Sequence, residues 1–208
     1  MKPRLLDLFC GAGGAAMGYQ RAGFEVVGVD IKPQPHYPFE FHQADAMTYP
    51  LEGFDVIHAS PPCQRYSTCT PMRYRGDHPD LIGSIRSRLQ GKVYVIENVP
   101  GARKKLINPI VLCGSMFGLP IRRHRCFEIR PEPSALLPKC HHKKDPVYIS
   151  GSTGSSSSPE GFKRFDFTTQ QRRDAMECQW MTDKEIDQAI PPAYTLWTGQ
   201  QLLQYLEP

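Results

Sequence analysis

At 208 residues, with 25 basic and 21 acidic side chains, the chain has a formal charge of +4 and enough length to bury one sizeable core, but not a second large domain. So mild a balance permits a polyanionic partner without demanding one. Seven scattered cysteines are an odd number and not the framework of a small secreted protein, and no run approaches about 18 apolar residues, so a soluble cytoplasmic protein with no membrane partner is expected.

The first sixty residues alternate strand and helix signals. LLDLF (residues 5–9) is a short apolar run, CGAGG a turn, AAMGYQRAG (15–23) has helical spacing and ends on glycine, and EVVGVD (25–30) is a β-branched run. FDVIHAS (54–60) and KVYVIENV (92–99) repeat the strand pattern, with DLIGSIRSRLQ (80–90) as a helix between them. This alternation predicts an α/β fold with a doubly wound, mostly parallel sheet, whose ligands bind where strands end. After Arg130 the order weakens. PEPSALLPKCHHKKDP is rich in proline and charge, PVYISG offers a strand pair, and GSTGSSSSPEG (151–161) reads as flexible loop. Helical patterning resumes in TTQQRRDAMECQWM and from Ala193 to Leu206.

Three local features carry chemistry. DLFCGAGG (7–14) places glycines between a strand and a helix, so that a ligand can approach the backbone and the helix N-terminus. It lacks the last glycine of GxGxxG, which favours a nucleoside over a pyrophosphate. Asp30 ends the second strand, where a carboxylate accepts hydrogen bonds from ribose hydroxyls or, equally, caps the following turn. In SPPCQRYS (60–67), Pro61 and Pro62 leave Cys63 few conformations at the mouth of a strand, a stiffness that a merely structural thiol rarely needs.

In order, DLFCGAGG, the acid of GVD, Asp45 of QADAM, SPPCQ, ENV (97–99), RRHR after GLP and QAIPPAYTLWTG resemble the motifs of the cytosine-5 DNA methyltransferases. The resemblance implies a Rossmann-like fold, S-adenosylmethionine as cofactor, double-stranded DNA as partner and no metal. It makes Cys63 the nucleophile that adds to carbon 6 of cytosine, Glu97 the acid at N3 and the exocyclic amine, and Arg123 and Arg125 the groups that steady the base and leave Cys63 electropositive. Phe9, Gly11, Gly13, Asp30, Ile31, Asp45, Ala46, Pro61 and Ala193 fall at its cofactor positions, and Gln64, Ser67 and Asn98 at substrate positions. A target inside a stacked duplex implies base flipping. An RNA or free-nucleotide substrate, or a non-catalytic binding relative, are the alternatives. Short members of the family resemble those of bacteriophages.

Two departures stand out. Ile121 replaces the glutamine that usually follows GxP, and only about forty residues separate RRHR from the C-terminal motifs, too few for an elaborate recognition lobe. The expected organisation is a core over 1–130, a reduced recognition insert over 131–165 and C-terminal helices over 166–208. Phosphate contacts from Lys139, Lys143, Lys144, Lys163 and Arg164 would then supply most of the affinity for DNA, with a short target sequence. Cys140, His141 and His142, with Cys113 or Cys126, have the chemistry of metal ligands. Their adjacency and the lack of a CxxC pair favour plain surface placement. Cys69 reads as a free thiol, Cys10 as packing near the cofactor, and Trp180 and Trp197 as core residues.

Overall fold

The computed structural model describes residues 1–137, 139–142, 145–149 and 167–206. Seven strands, β1 (Arg4–Leu8), β2 (Glu25–Asp30), β3 (Glu40–Gln43), β4 (Val56–Ala59), β5 (Val93–Asn98), β6 (Ile110–Leu112) and β7 (Arg125–Arg130), form one sheet in the order β3-β2-β1-β4-β5-β7-β6. The first five in that order pair in parallel, and β7 runs antiparallel to both of its neighbours.

The central strands read as continuous apolar runs because both of their faces are covered. Leu5, Val26, Val56 and Val95 join one core cluster, with α1 (Gly14–Ala22) and α6 (Pro192–Leu206) packed on that side. Leu6, Leu8, Val29, Ile57 and Ile96 join another, against Ile82, Ile85 and Leu89 of α3 (Ile82–Arg88) and the residue after it. α1 and α6 approach so closely that a Cβ on Gly18 would lie 2.1 Å from the Pro192 carbonyl oxygen. A third cluster joins Ala12 and Ile121 to Met176, Met181 and Ile186 around α4 (Thr169–Met176) and α5 (Asp183–Gln188). Ile121 is buried there, in an apolar setting where glutamine would have to bury its amide.

The structure adds what the sequence pattern missed. β3 is polar and mostly exposed, β6 has three residues, and β7 turns the sheet antiparallel. Conversely, the strand pair expected around PVYISG is absent over its described residues, 146–149. Val147 instead donates one backbone bond, of 2.7 Å, to the Pro120 carbonyl, which docks the segment on a loop without building a ladder. The serine-rich stretch, Lys143, Lys144, Lys163 and Arg164 lie outside the described residues.

Candidate active site

The chain turns one way from β1 to β2 and the other from β4 to β5, so β1 and β4 flank the switch point where loops diverge and leave a crevice. The glycine loop leaves β1 here, the Pro-Pro-Cys loop leaves β4, and Glu97 and Asn98 end β5. β7 begins at the same edge, because Cys126 pairs with Asn98 and Phe127 with Glu97. Residues 113 positions apart in the sequence, Gly13 and Cys126, are thereby brought to one rim.

The glycine loop is held by its neighbours. Phe9, Gly11 and Gly13 take φ of 59°, 49° and 82°, a left-handed path that glycine tolerates and Phe9 does not readily adopt. Asp30 accepts from the Gly11 N–H at 3.1 Å and from the Lys32 N–H at 3.0 Å, so it both caps its own turn and ties down the loop. Trp180 donates its indole N–H to the Ala12 carbonyl at 2.8 Å, and a Cβ on Gly14 would lie 2.4 Å from the Ile190 carbonyl oxygen. Among the described residues, apart from its two chain neighbours, no atom lies within 4 Å of a Cβ built on Gly11, which leaves that point of the loop open to a ligand. Asp45 is exposed and caps the turn at Met47, Ile31 is exposed, and Ala46 is buried. Ala193 lies on α6, packed against the first core cluster. An open backbone cradle beside a strand-end carboxylate fits the nucleoside part of S-adenosylmethionine.

Cys63 is half-buried, and its carbonyl accepts from the Tyr66 and Ser67 N–H groups, both at 2.9 Å. Asn98 is buried, donates to the Pro61 carbonyl at 2.9 Å and accepts from the Val99 N–H. Its amide thereby helps to hold the Pro-Pro-Cys loop. Gln64 is exposed, and the Ser67 hydroxyl accepts from the Cys69 N–H.

Glu97 is buried, and Arg125 Nε lies 3.2 Å from its Oε1. Burial pushes the Glu97 carboxyl above its usual range, against Arg125, a Ser60 hydrogen bond and Arg123. The arginines divide. Arg123 donates to the carbonyls of Ala189, Asp187 and Ile149 at 3.0, 2.6 and 3.5 Å, and burial followed by the charge of Arg125 draws its pKa down to about 9. It differs from the expectation of a base contact in being first a clamp on the C-terminal segment. Both arginines act on the Cys63 thiol in the direction expected, but they do not prevail. Burial and then Glu97 push the Cys63 thiol up, and together they outweigh Arg125 and Arg123.

Behind Glu97 runs a buried relay that the sequence reading missed. The Tyr19 hydroxyl lies 2.9 Å from His58 Nδ1, and His58 Nε2 lies 2.8 Å from the Ser60 hydroxyl. Burial draws the His58 pKa down to about 3, so the ring is neutral and has one N–H. Nothing but its place inside an apolar strand marks it in the sequence.

Residues 3–146 match the family model of the C-5 cytosine-specific DNA methylases. The chain belongs to that family. A Type II methyltransferase of Fusobacterium nucleatum is 29% identical to it over 116 residues, covering 49% of this chain and 34% of that protein. One of Arthrospira platensis is 32% identical over 114 residues, covering 47% and 31%. The match thus spans about a third of the length of these curated relatives. An Entamoeba histolytica methyltransferase superposes with a TM-score of 0.63 at 14% identity, over 100% of both chains, a likeness of fold. Both the cytosine-5 methylase family and the doubly wound fold expected from the sequence are therefore found. Among the described residues, no helix is long and apolar enough to cross a membrane.

Proposed function

We propose that this methylase transfers a methyl group to carbon 5 of cytosine in double-stranded DNA, with Cys63 as nucleophile and S-adenosylmethionine as cofactor. The observation that carries the reading is the meeting of Cys63, on its proline-stiffened loop, with the Glu97–Arg125 pair at the strand ends beside the glycine loop.

Carbon 5 of cytosine is a poor nucleophile. Addition of the Cys63 thiolate to carbon 6 makes it an enamine carbon, and Glu97 is the group to supply a proton or hydrogen bond at N3 as charge moves onto the ring. A carboxyl held above its usual range suits that role, since a larger share of it retains a proton near neutral pH. Arg125 balances Glu97 when it is ionised. S-adenosylmethionine, when bound, supplies the methyl group. Phe9, Gly11, Gly13 and Asp30 would hold its nucleoside end. Loss of the carbon 5 proton to a base or water then lets the thiol leave. Because the thiol cannot reach carbon 6 within a stacked duplex, the target base must be flipped out.

Incubation with labelled S-adenosylmethionine and, separately, duplex DNA, tRNA and dCMP tests the substrate class. Label in duplex DNA, lost in Cys63→Ala, is the expected result. Label confined to tRNA or dCMP would replace DNA with that substrate. Methylation by Cys63→Ala at a near-native rate would remove the covalent step, and duplex DNA containing 5-fluorocytosine should trap wild-type protein as an adduct on Cys63.

A further inference from the structure

Cys113, His124, Cys140 and His142 come from three separate parts of the chain. Cys113 follows β6, His124 precedes β7, and Cys140 and His142 lie beyond the end of β7. Their sulfur and ring-nitrogen atoms all lie within 4.8 Å of one another. We infer that these four side chains form a structural zinc site that fastens the start of the recognition insert to the arginine loop.

The donor set decides the metal. Two cysteines and two histidines, with no carboxylate among them, suit zinc and exclude the oxygen-seeking calcium and magnesium ions. Two thiolates and two neutral imidazoles around Zn²⁺ make the site electrically neutral. Geometry agrees. A tetrahedron with metal–sulfur bonds of about 2.3 Å and metal–nitrogen bonds of about 2.0 Å sets each sulfur about 3.5 Å from each nitrogen. Cys113 Sγ lies 3.5 Å from His142 Nε2, and Cys140 Sγ lies 3.6 Å from His124 Nε2. A third sulfur–nitrogen edge, from Cys140 Sγ to His142 Nε2, is shorter at 2.7 Å and must open by about 0.8 Å to reach that spacing. The His124 and His142 rings stand nearly edge to face, 78° apart with centroids at 5.1 Å, which lets both nitrogens aim at one point.

A supporting group is in place. The Ser115 hydroxyl lies 3.4 Å from Cys113 Sγ and 3.2 Å from Cys140 Sγ, so it can donate to a thiolate, and it accepts from the His141 N–H at 3.2 Å. His141 thus serves through its backbone, while its neighbours on either side supply ligands. Cys140, His141 and His142 are exposed, as the sequence suggested, and a metal among them would replace the expectation of none. Adjacent residues do not share the ion; alternate residues do, and the missing partner was His124, hidden in the RRHR run.

The position gives the site its purpose. His124 stands between Arg123, which clamps the C-terminal segment, and Arg125, which faces Glu97. A metal there fixes the arginine loop and the root of the insert together.

The test uses untagged full-length protein, reduced, stripped with chelator and titrated with Co²⁺ alone. The expected result is the visible absorption of tetrahedral cobalt thiolate, saturating at about one equivalent and displaced by Zn²⁺. Cys140→Ser and His142→Ala should each abolish or distort it, while Cys69→Ser, at an exposed cysteine away from the cluster, should not. A featureless titration of folded wild-type protein would overturn the assignment, as would a spectrum that survives the Cys140→Ser/His142→Ala double substitution. Should the variants fail to fold, X-ray absorption of the zinc-loaded wild type decides: two sulfur and two nitrogen neighbours support the site, and any shell without sulfur refutes it.

Discussion

His58 Nε2 lies 2.8 Å from the Ser60 hydroxyl, and the direction of that bond follows from what stands on either side. Ser60 is among the groups that hold the Glu97 carboxyl down, as a hydroxyl does with its proton turned toward a carboxylate. Its oxygen is then the acceptor for His58 Nε2–H, and His58 Nδ1 accepts from Tyr19. The relay thus runs from the core to the acid. Ser60→Ala should lower kcat/KM by about 10- to 100-fold, the worth of a hydrogen bond to a charged group. It should also move to higher pH the limb of the pH–rate profile on which activity falls as Glu97 loses its proton, because the group that favoured the Glu97 carboxylate has gone. A variant with reduced activity but an unmoved limb would show that Ser60 acts only through packing.

The thiol offers a second titration. Burial and Glu97 hold Cys63 above the ordinary thiol value of about 8.5, so its alkylation by iodoacetamide, followed on the Cys63 peptide by mass spectrometry, should have an alkaline midpoint. Arg125 opposes the rise. Arg125→Gln should therefore move the midpoint higher still and slow modification at neutral pH, and a downward shift would mean that Arg125 does not act on Cys63.

Of the two roles that the sequence left open for Asp30, the cap on its own turn is present in the fold. Asp30→Ala strips the acceptor from the Gly11 and Lys32 N–H groups, so unfolding free energy should fall by about 1–3 kcal/mol. If the carboxylate also takes ribose hydroxyls, S-adenosylmethionine affinity measured by calorimetry on the folded variant should weaken by a further 1–3 kcal/mol, or about 5- to 150-fold. Unchanged affinity in a destabilised protein would leave Asp30 as a cap alone.

What could be read from the sequence tracks what is local. β1, β2, β4 and β5 are legible because burial on both faces makes each a continuous apolar run, and the Cys63 loop because proline acts on its immediate neighbours. β3 escaped because EFHQ, at the sheet edge, buries too little to show a pattern. The relay through His58 and the indole bond from Trp180 to Ala12, 168 residues away, depend on side chains that only the folded sheet brings together. The same holds for His124. In the sequence it is one base among arginines, and only the return of Cys140 and His142 to the start of β7 gives it partners.

Glu128 and Arg86 test the far side of β7. Glu128 is fully buried and accepts from Arg86 Nε at 2.8 Å and Nη2 at 2.7 Å, from the Tyr94 hydroxyl at 2.9 Å and from the Ile107 N–H at 2.8 Å. Burial alone would raise its pKa, but Arg86, Ile107 and Tyr94 together hold it below the usual carboxylate range. A depressed carboxyl stabilises the fold above its unfolded pKa of about 4.3, and that contribution is lost as pH falls through the folded value. Removing the two partners is not symmetrical. Arg86→Met leaves an ionised carboxylate with no access to water and should cost about 3–5 kcal/mol at pH 7, whereas Glu128→Gln leaves a guanidinium that is 20% exposed and still bonded to the Lys105 carbonyl, and should cost less. Chemical denaturation across pH 3–7 checks both. The wild type should lose stability toward the acid end, and Arg86→Met should close the gap with it there as Glu128 takes up a proton. A gap that stays constant across this range would mean that the pair contributes by shape and not by charge.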